Sequence, residues 1–228
     1  MRTYGQYCPV AKATEIFADR WTPLIIREML DGISHFNELE RGLPGISRSL
    51  LAERLRRLER SGVIERSVAP NGHATEYLLT PAGEQLQPVI EVLGQWGARW
   101  AFGEPEPEEL DPVLLMWWMR RRVQRDRLPP RRIIVQFDFR GQRTGSYWLM
   151  MEPAEVTVCQ QHPGFAIDLL VTADIAAYYR VLFNRLPLAE AMRAGLIELD
   201  GPVSLVRRFP TWWVWYPAPP AAKEPPRS

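Results

Sequence analysis

Apolar residues in the earlier part of the chain recur at helical spacing, whereas several runs in the later part alternate with polar ones. The first pattern predicts helices and the second strands. Thr22 followed by Pro23 gives an N-cap and a first-turn proline, opening a helix through LIIREML to Gly32. Ser34 is placed to cap a short helix, HFNELERG, which Pro44 and Gly45 in LPGI break. Ser47 then caps SRSLLAERLRRLERSG, ending at Gly62. Two helices joined by a tight turn form a helix-turn-helix. VIERSV and TEYLL follow and flank Asn71-Gly72, a strong hairpin signal. A hairpin behind the second helix of such a pair is a wing. Leu86, Val89, Ile90, Leu93, Trp96, Gly97 and Trp100 then make one apolar stripe on a closing helix, which Pro88 is expected to kink.

The helix after Ser47 has two faces. Leu51, Leu55 and Leu58 form its buried stripe, and Ser47, Arg48, Ser49, Ala52 and Arg56 lie on other faces. Small side chains let a helix sit deep in the major groove, and Arg contacts guanine through two hydrogen bonds. Residues 47–60 carry five Arg against two Glu, while residues 1–103 balance at twelve against twelve, so positive charge is concentrated here. An Arg-rich helix taken alone is usually a solvated face. The ordered set of helix, turn, capped Arg helix and Asn-Gly hairpin favours DNA reading instead. Arg66, Asn71 and His73 on the hairpin are placed to meet phosphates or the minor groove.

Beyond GEPEPEELDP, with five acids, three prolines and no base, the pattern changes. Proline and like charge predict an extended linker there. Asp111-Pro112 starts a helix containing Val113, Met116, Trp117 and Val123, and strand-like runs IIVQFDF, SYWLMM, EVTVCQ and FAIDLLV follow. Asp174 opens a further helix, Pro187 begins another that Gly195 ends, and the strand LIEL leads to a last helix from Pro202 to Phe209. Strands and helices in blocks suggest an α+β domain with a largely antiparallel sheet. The expected organisation is a mainly α winged helix-turn-helix domain over 1–103, a linker over 104–110, an α+β domain over 111–216 and a Pro-rich flexible tail over 217–228.

Composition narrows the function. The 228 residues and 26.3 kDa suit one large domain or two small ones. A net charge of +1 excludes a strongly basic nucleic-acid glove but not a local patch. The longest apolar run before the tail, VLLMWWM, has seven residues, against the roughly 20 that span a bilayer. With no secretory pattern at the N-terminus, a cytoplasmic protein is expected. Cys8 and Cys159 cannot build a disulfide framework. Three scattered His offer no metal-ligand spacing, and neither a phosphate loop nor a nucleophile elbow occurs. No catalytic residue, metal or cofactor is expected.

The later half holds six of the nine Trp and several Met, residues that suit an adaptable apolar cavity as well as an ordinary core. Trp117, Trp148, Met150, Phe183, Met192 and Trp212 are the candidate lining. The stretch MRRRVQRDRLPPRR holds seven Arg. An anion site, nonspecific DNA attraction, the lining of a helix C-terminus and a solvated face all remain open for it.

Read together, Cys8-Pro9, the Trp21 segment, HFNEL, GISRSLLAERLRRLERSGVIER and EYLLTPAG resemble the HxlR-type winged helix-turn-helix regulators over nearly all of 1–102. The resemblance implies a homodimer reading a near-palindromic operator, with the closing stripe (Leu86, Val89, Ile90, Leu93, Trp96, Trp100) and the first helix pairing across subunits. His35 stands where the family carries a basic residue, and as a neutral imidazole it is a weaker phosphate partner. In some relatives a cysteine at the position of Cys8 senses thiol stress; the bland alternative is a buried structural thiol. Residues 171–213, and more loosely 111–170, resemble the type-two sterol-carrier fold, which implies a tunnel for lipid-like molecules and no catalytic residues. The expectation is a dimeric DNA-binding regulator, a repressor, tuned by an apolar or lipid-like effector. The alternative is a lipid carrier whose winged module only dimerises.

Overall fold

A computed structural model describes residues 3–68 and 75–216. The chain forms two compact units, Met1–Trp96 and Gly97–Ser228.

In the first unit, α1 (Pro9–Phe17) and α2 (Thr22–Leu30) precede the helix-turn-helix pair α3 (Phe36–Gly42) and α4 (Arg48–Arg60). Two expected caps move. The residue preceding α2 is Trp21, not Thr22, and it takes a left-handed conformation, φ 80°. Thr22 is instead the buried first residue of the helix. A left-handed backbone is unfavourable for a bulky side chain; Gly45, itself at φ +90°, lies beside the indole, which a Cβ there would meet at an ordinary contact distance of 3.7 Å. The second correction is at α3, whose N-cap is His35 rather than Ser34. The Ser34 carbonyl accepts from Tyr77 N at 2.8 Å and His35 bridges to Glu76, so this segment is extended along the wing and the helix begins later. Ser47 does cap α4, its hydroxyl accepting from Leu50 N at 3.3 Å. Leu51, Leu55 and Leu58 are buried, as are Ile25, Ile26 and Leu39.

The wing strands β1 (Ile64–Val68) and β2 (Thr75–Leu79) pair antiparallel from Ile64↔Leu79 to Val68↔Thr75. The Asn71-Gly72 tip, with His73, lies outside the described residues. A short helix, α5 (Pro81–Glu84), closes the wing. Thr80 Oγ1 accepts from Gly83 N at 3.3 Å and donates to Gly62 O at 2.6 Å, tying both ends of the hairpin together. Gly83 is required by close approach: a Cβ there would overlap the Val63 carbonyl oxygen and meet Leu79 Cδ2 at 2.9 Å. Backbone cannot give way as a side chain end can, so Gly83→Ala is expected to destabilise the unit by about 1–3 kcal/mol. Urea unfolding followed by circular dichroism checks this, and an unchanged midpoint would contradict it.

The closing helix α6 (Gln87–Trp100) is continuous. Pro88 does not sit in a helix interior, because the helix starts at Gln87; in the first turn its missing N–H has no bond to break. No residue of α6 is buried: Val89, Leu93, Trp96 and Trp100 are 45%, 47%, 59% and 51% exposed.

The second unit opens with the acidic stretch folded against its own body. Pro107–Glu109 form a 3-10 turn, Leu110 is fully buried, and Glu104 pairs with Arg180 and Arg185. Asp111 caps α7 (Pro112–Arg121), accepting from Val113 N at 2.8 Å and Leu114 N at 3.2 Å. Strands β3 (Ile133–Arg140), β4 (Gly145–Met151), β5 (Val156–Cys159), β6 (Leu169–Asp174) and β7 (Ile197–Asp200) make one sheet in the order β5-β4-β3-β6-β7. Only the β3–β6 pairing is parallel. Asp174 caps α8 (Ile175–Leu182), accepting from Ala177 N at 2.8 Å; α9 (Leu188–Arg193) and α10 (Val203–Arg208) follow.

Alternation along the strands sorts the sheet into two faces. Val135, Phe137, Leu149 and Val171 point into the core with Met116, Tyr178, Phe209 and Trp212. Tyr178 Oη and the indole nitrogens of Trp117, Trp212 and Trp213 are buried without an acceptor among the described groups. Each such donor costs about 1–3 kcal/mol. Burial pushes the Tyr178 phenol far above its usual range, so it stays neutral.

Candidate nucleic-acid interface

The five arginines of α4 do different jobs. Arg57 pairs with Asp19 and donates to the Glu15 carbonyl, and Arg54 Nε donates to the Arg20 carbonyl at 3.3 Å. These two therefore fasten α4 to the turn before α2. Their positions flank the Leu51–Leu55–Leu58 stripe, the one signal in the sequence that separates them from the rest. Arg48, Arg56 and Arg60 are exposed.

Ser49, Ala52 and Arg56 fall at i, i+3 and i+7 and share one outward face with Ser47 and Arg48 at its start. Ala52 is half-buried, the others exposed. Ser47 and Ser49 hydroxyls lie 3.1 Å apart. Arg56 Nε donates only to the Ala52 carbonyl of its own helix, at 3.2 Å. Arg48 is held back toward α3: it pairs with Glu40, donates to Asn37 Oδ1 at 3.2 Å and lies 4.9 Å over the Phe36 ring. A DNA acceptor at Arg48 must compete with that carboxylate, and among the described residues no carboxylate pairs with Arg56. Sequence spacing placed both away from the leucine stripe but gave no sign of this difference.

On the wing, Arg66 is exposed and stands 5.8 Å over Tyr77, its cross-strand partner. His35 Nε2 lies 3.6 Å from a Glu76 carboxylate oxygen, so this imidazole faces an acid of the wing. The candidates Asn71 and His73 lie outside the described residues. Cys8 is the half-buried N-cap of α1.

The proposed pocket residues of the second unit do not converge. Trp148 and Met150 point to the sheet face opposite the core, because they alternate with Leu149 and Met151. Trp212 is inside the core, Met192 and Phe183 pack against it, and Trp117 is buried under Arg120 at 4.8 Å. The arginine stretch is largely used to staple loops. Arg120 donates to Val156 O, Arg122 to Val214 O and Arg125 to Ala154 O, while Arg131 and Arg132 pair with Asp168 and Glu152.

Comparison with known proteins bears on the first unit. Residues 16–104 match the family model described as HxlR-like helix-turn-helix. The chain is 38% identical over 98 residues to the HTH-type transcriptional regulator YvaP of Bacillus subtilis, covering 42% of this chain and 91% of that protein. It is 37% identical over 100 residues to the regulator YodB of the same organism, covering 43% of this chain and 88% of YodB. The reduced form of YodB superposes with a TM-score of 0.38 at 35% identity, over 42% of this chain and 96% of that one. These relatives are transcription regulators, not enzymes. No helix among the described residues is long and apolar enough to cross a membrane. The chain belongs to the HxlR-like helix-turn-helix family of DNA-binding transcription regulators.

Proposed function

We propose that the protein is a homodimeric repressor that places the Ser47–Arg56 face of α4 in successive major grooves and takes an apolar effector in its second unit. The observation that carries this reading is the division of labour on α4. Arg54 and Arg57 secure the helix, which leaves small Ser49 and Ala52 beside exposed Arg48 and Arg56. Ser47, Arg66, His35, Asn71 and His73 would supply backbone-positioning contacts. The dimer is supported by the stripe of Leu86, Val89, Ile90, Leu93, Trp96 and Trp100, in which Val89, Leu93, Trp96 and Trp100 are exposed and Leu86 and Ile90 half-buried, an apolar face too large to leave in water.

For the second unit, the α+β sandwich of helices on one sheet face, with α9, β7 and α10 closing it, supports a sterol-carrier-like domain. A ligand there that prefers one spacing of the two reading heads shifts operator affinity by its own difference in affinity. Cys8 is the candidate for thiol chemistry. Its unit holds no second cysteine, so a small-thiol adduct or a disulfide to a second chain are its routes.

Genome-wide mapping of the protein on the chromosome tests the reading. Occupancy at a few promoters sharing a two-fold sequence supports it. Occupancy without preferred sites would leave the winged unit as a dimerisation module on a carrier.

A further inference from the structure

The second unit contains a crevice of about 350 Å³ that none of the family's reading machinery uses. That is the size of a small-molecule site. Its walls are aromatic: Phe102 from the segment after α6, Trp118 from α7, Tyr179 from α8 and Phe183, the residue that ends that helix. The rings meet edge to face, Phe102–Phe183 at 5.1 Å, Trp118–Phe183 at 5.6 Å and Trp118–Tyr179 at 6.1 Å between centroids. Tyr179 is fixed by donating to the Asp111 carbonyl at 2.8 Å.

The charges around this box are unequal. Glu104, Glu106 and Glu109 line it, with Arg180 and Arg185. Both arginines answer to Glu104, at 3.9 Å and 3.5 Å, and Arg185 also donates to the Gly103 carbonyl. Glu106 and Glu109 accept only from backbone N–H groups of their own turn, in a reciprocal cap. Among the described residues, then, two carboxylates stand beside an aromatic box with no ion pair to a basic side chain. Aromatic faces and uncancelled carboxylates both attract positive charge.

We propose that this crevice binds an organic cation with an apolar body, such as a hydrophobic ammonium compound. The proposal rests on the second unit being the effector domain and gives that effector a charge and a place. The place matters because Phe102 follows the last residue of α6, Trp100, by two positions. A ligand gripping Phe102 holds the chain where the dimerisation stripe ends.

Calorimetric titration of the full-length protein with benzyltriethylammonium and with phenylmethanesulfonate tests the site, since the two share an aromatic body and differ in charge. The cation is expected to bind at least roughly tenfold more tightly. Trp118→Ala is expected to weaken it about tenfold, with circular dichroism reporting the fold. Glu106→Gln with Glu109→Gln should weaken the cation and not the anion, because glutamine keeps the cap while removing the charge. Equal or tighter binding of the anion, or a double glutamine variant that binds the cation unchanged, overturns the proposal. Operator anisotropy on the same samples separates two failures. Cation binding that leaves DNA affinity unmoved contradicts the effector reading and keeps the site. Operator binding by a protein that ignores the cation contradicts the site and keeps the regulator.

Discussion

Leu93→Asp combined with Trp96→Asp is expected to turn the protein from a dimer into a monomer. Both side chains lie about half exposed on α6, with Val89 and Trp100 on the same helix equally uncovered. A Trp at the centre of an interface commonly carries 2 kcal/mol or more, roughly thirtyfold in affinity. A two-fold interface counts each substitution twice, and a buried carboxylate adds a desolvation cost. The dimer constant should therefore weaken at least about a thousandfold. Neither residue is in the core of the chain, so the fold should survive. Sedimentation equilibrium reads the state directly. A wild type that is already monomeric at micromolar concentration, or a variant that stays dimeric, contradicts the assignment of the stripe.

The other large effect is on DNA. Arg48→Ala with Arg56→Ala should abolish sequence-selective binding while leaving fold and dimer intact. A bidentate arginine contact to guanine is worth about 1–3 kcal/mol. Two such residues on each of two subunits make the expected loss at least about a thousandfold. In the Arg48–Glu40 pair lost in the variant Arg48 is exposed and Glu40 half-buried, and solvent-accessible pairs contribute at most about 1 kcal/mol. Of the single variants, Arg56→Ala should cost more than Arg48→Ala, because Arg48 must first leave Glu40 and Asn37. Anisotropy with an operator fragment measures each. Equal affinity of the double variant and wild type would remove α4 as the reading helix.

Much of this was legible before the coordinates. The leucine stripe of α4, its Ser47 cap, the wing strands and the caps Asp111 and Asp174 follow from local spacing, and local interactions placed them. What was missed depends on distant neighbours. The left-handed Trp21 ahead of α2 has no local signal in the sequence, and Ser34 lost its capping role where its carbonyl takes a bond from Tyr77. The jobs of Arg54 and Arg57 depend on Asp19 and Arg20, far back in the chain. In the second unit, aromatic composition pointed to a pocket but not to its members. Strand alternation sends Trp148 away from the core, and of the six expected lining residues only Phe183 reaches the crevice. Trp118 and Tyr179, each one position on from a fully or largely buried aromatic, line it instead.

The most direct test of a sequence-reading dimer is binding of the purified protein to its own upstream DNA against scrambled DNA across a salt series. Phosphate contacts release counterions, so nonspecific affinity falls steeply as salt rises. The account predicts a preference for the upstream fragment that widens toward physiological salt, because the base contacts of Arg48 and Arg56 persist. Identical curves for both fragments, joined by failure to enrich any sequence from a genomic library, would contradict it.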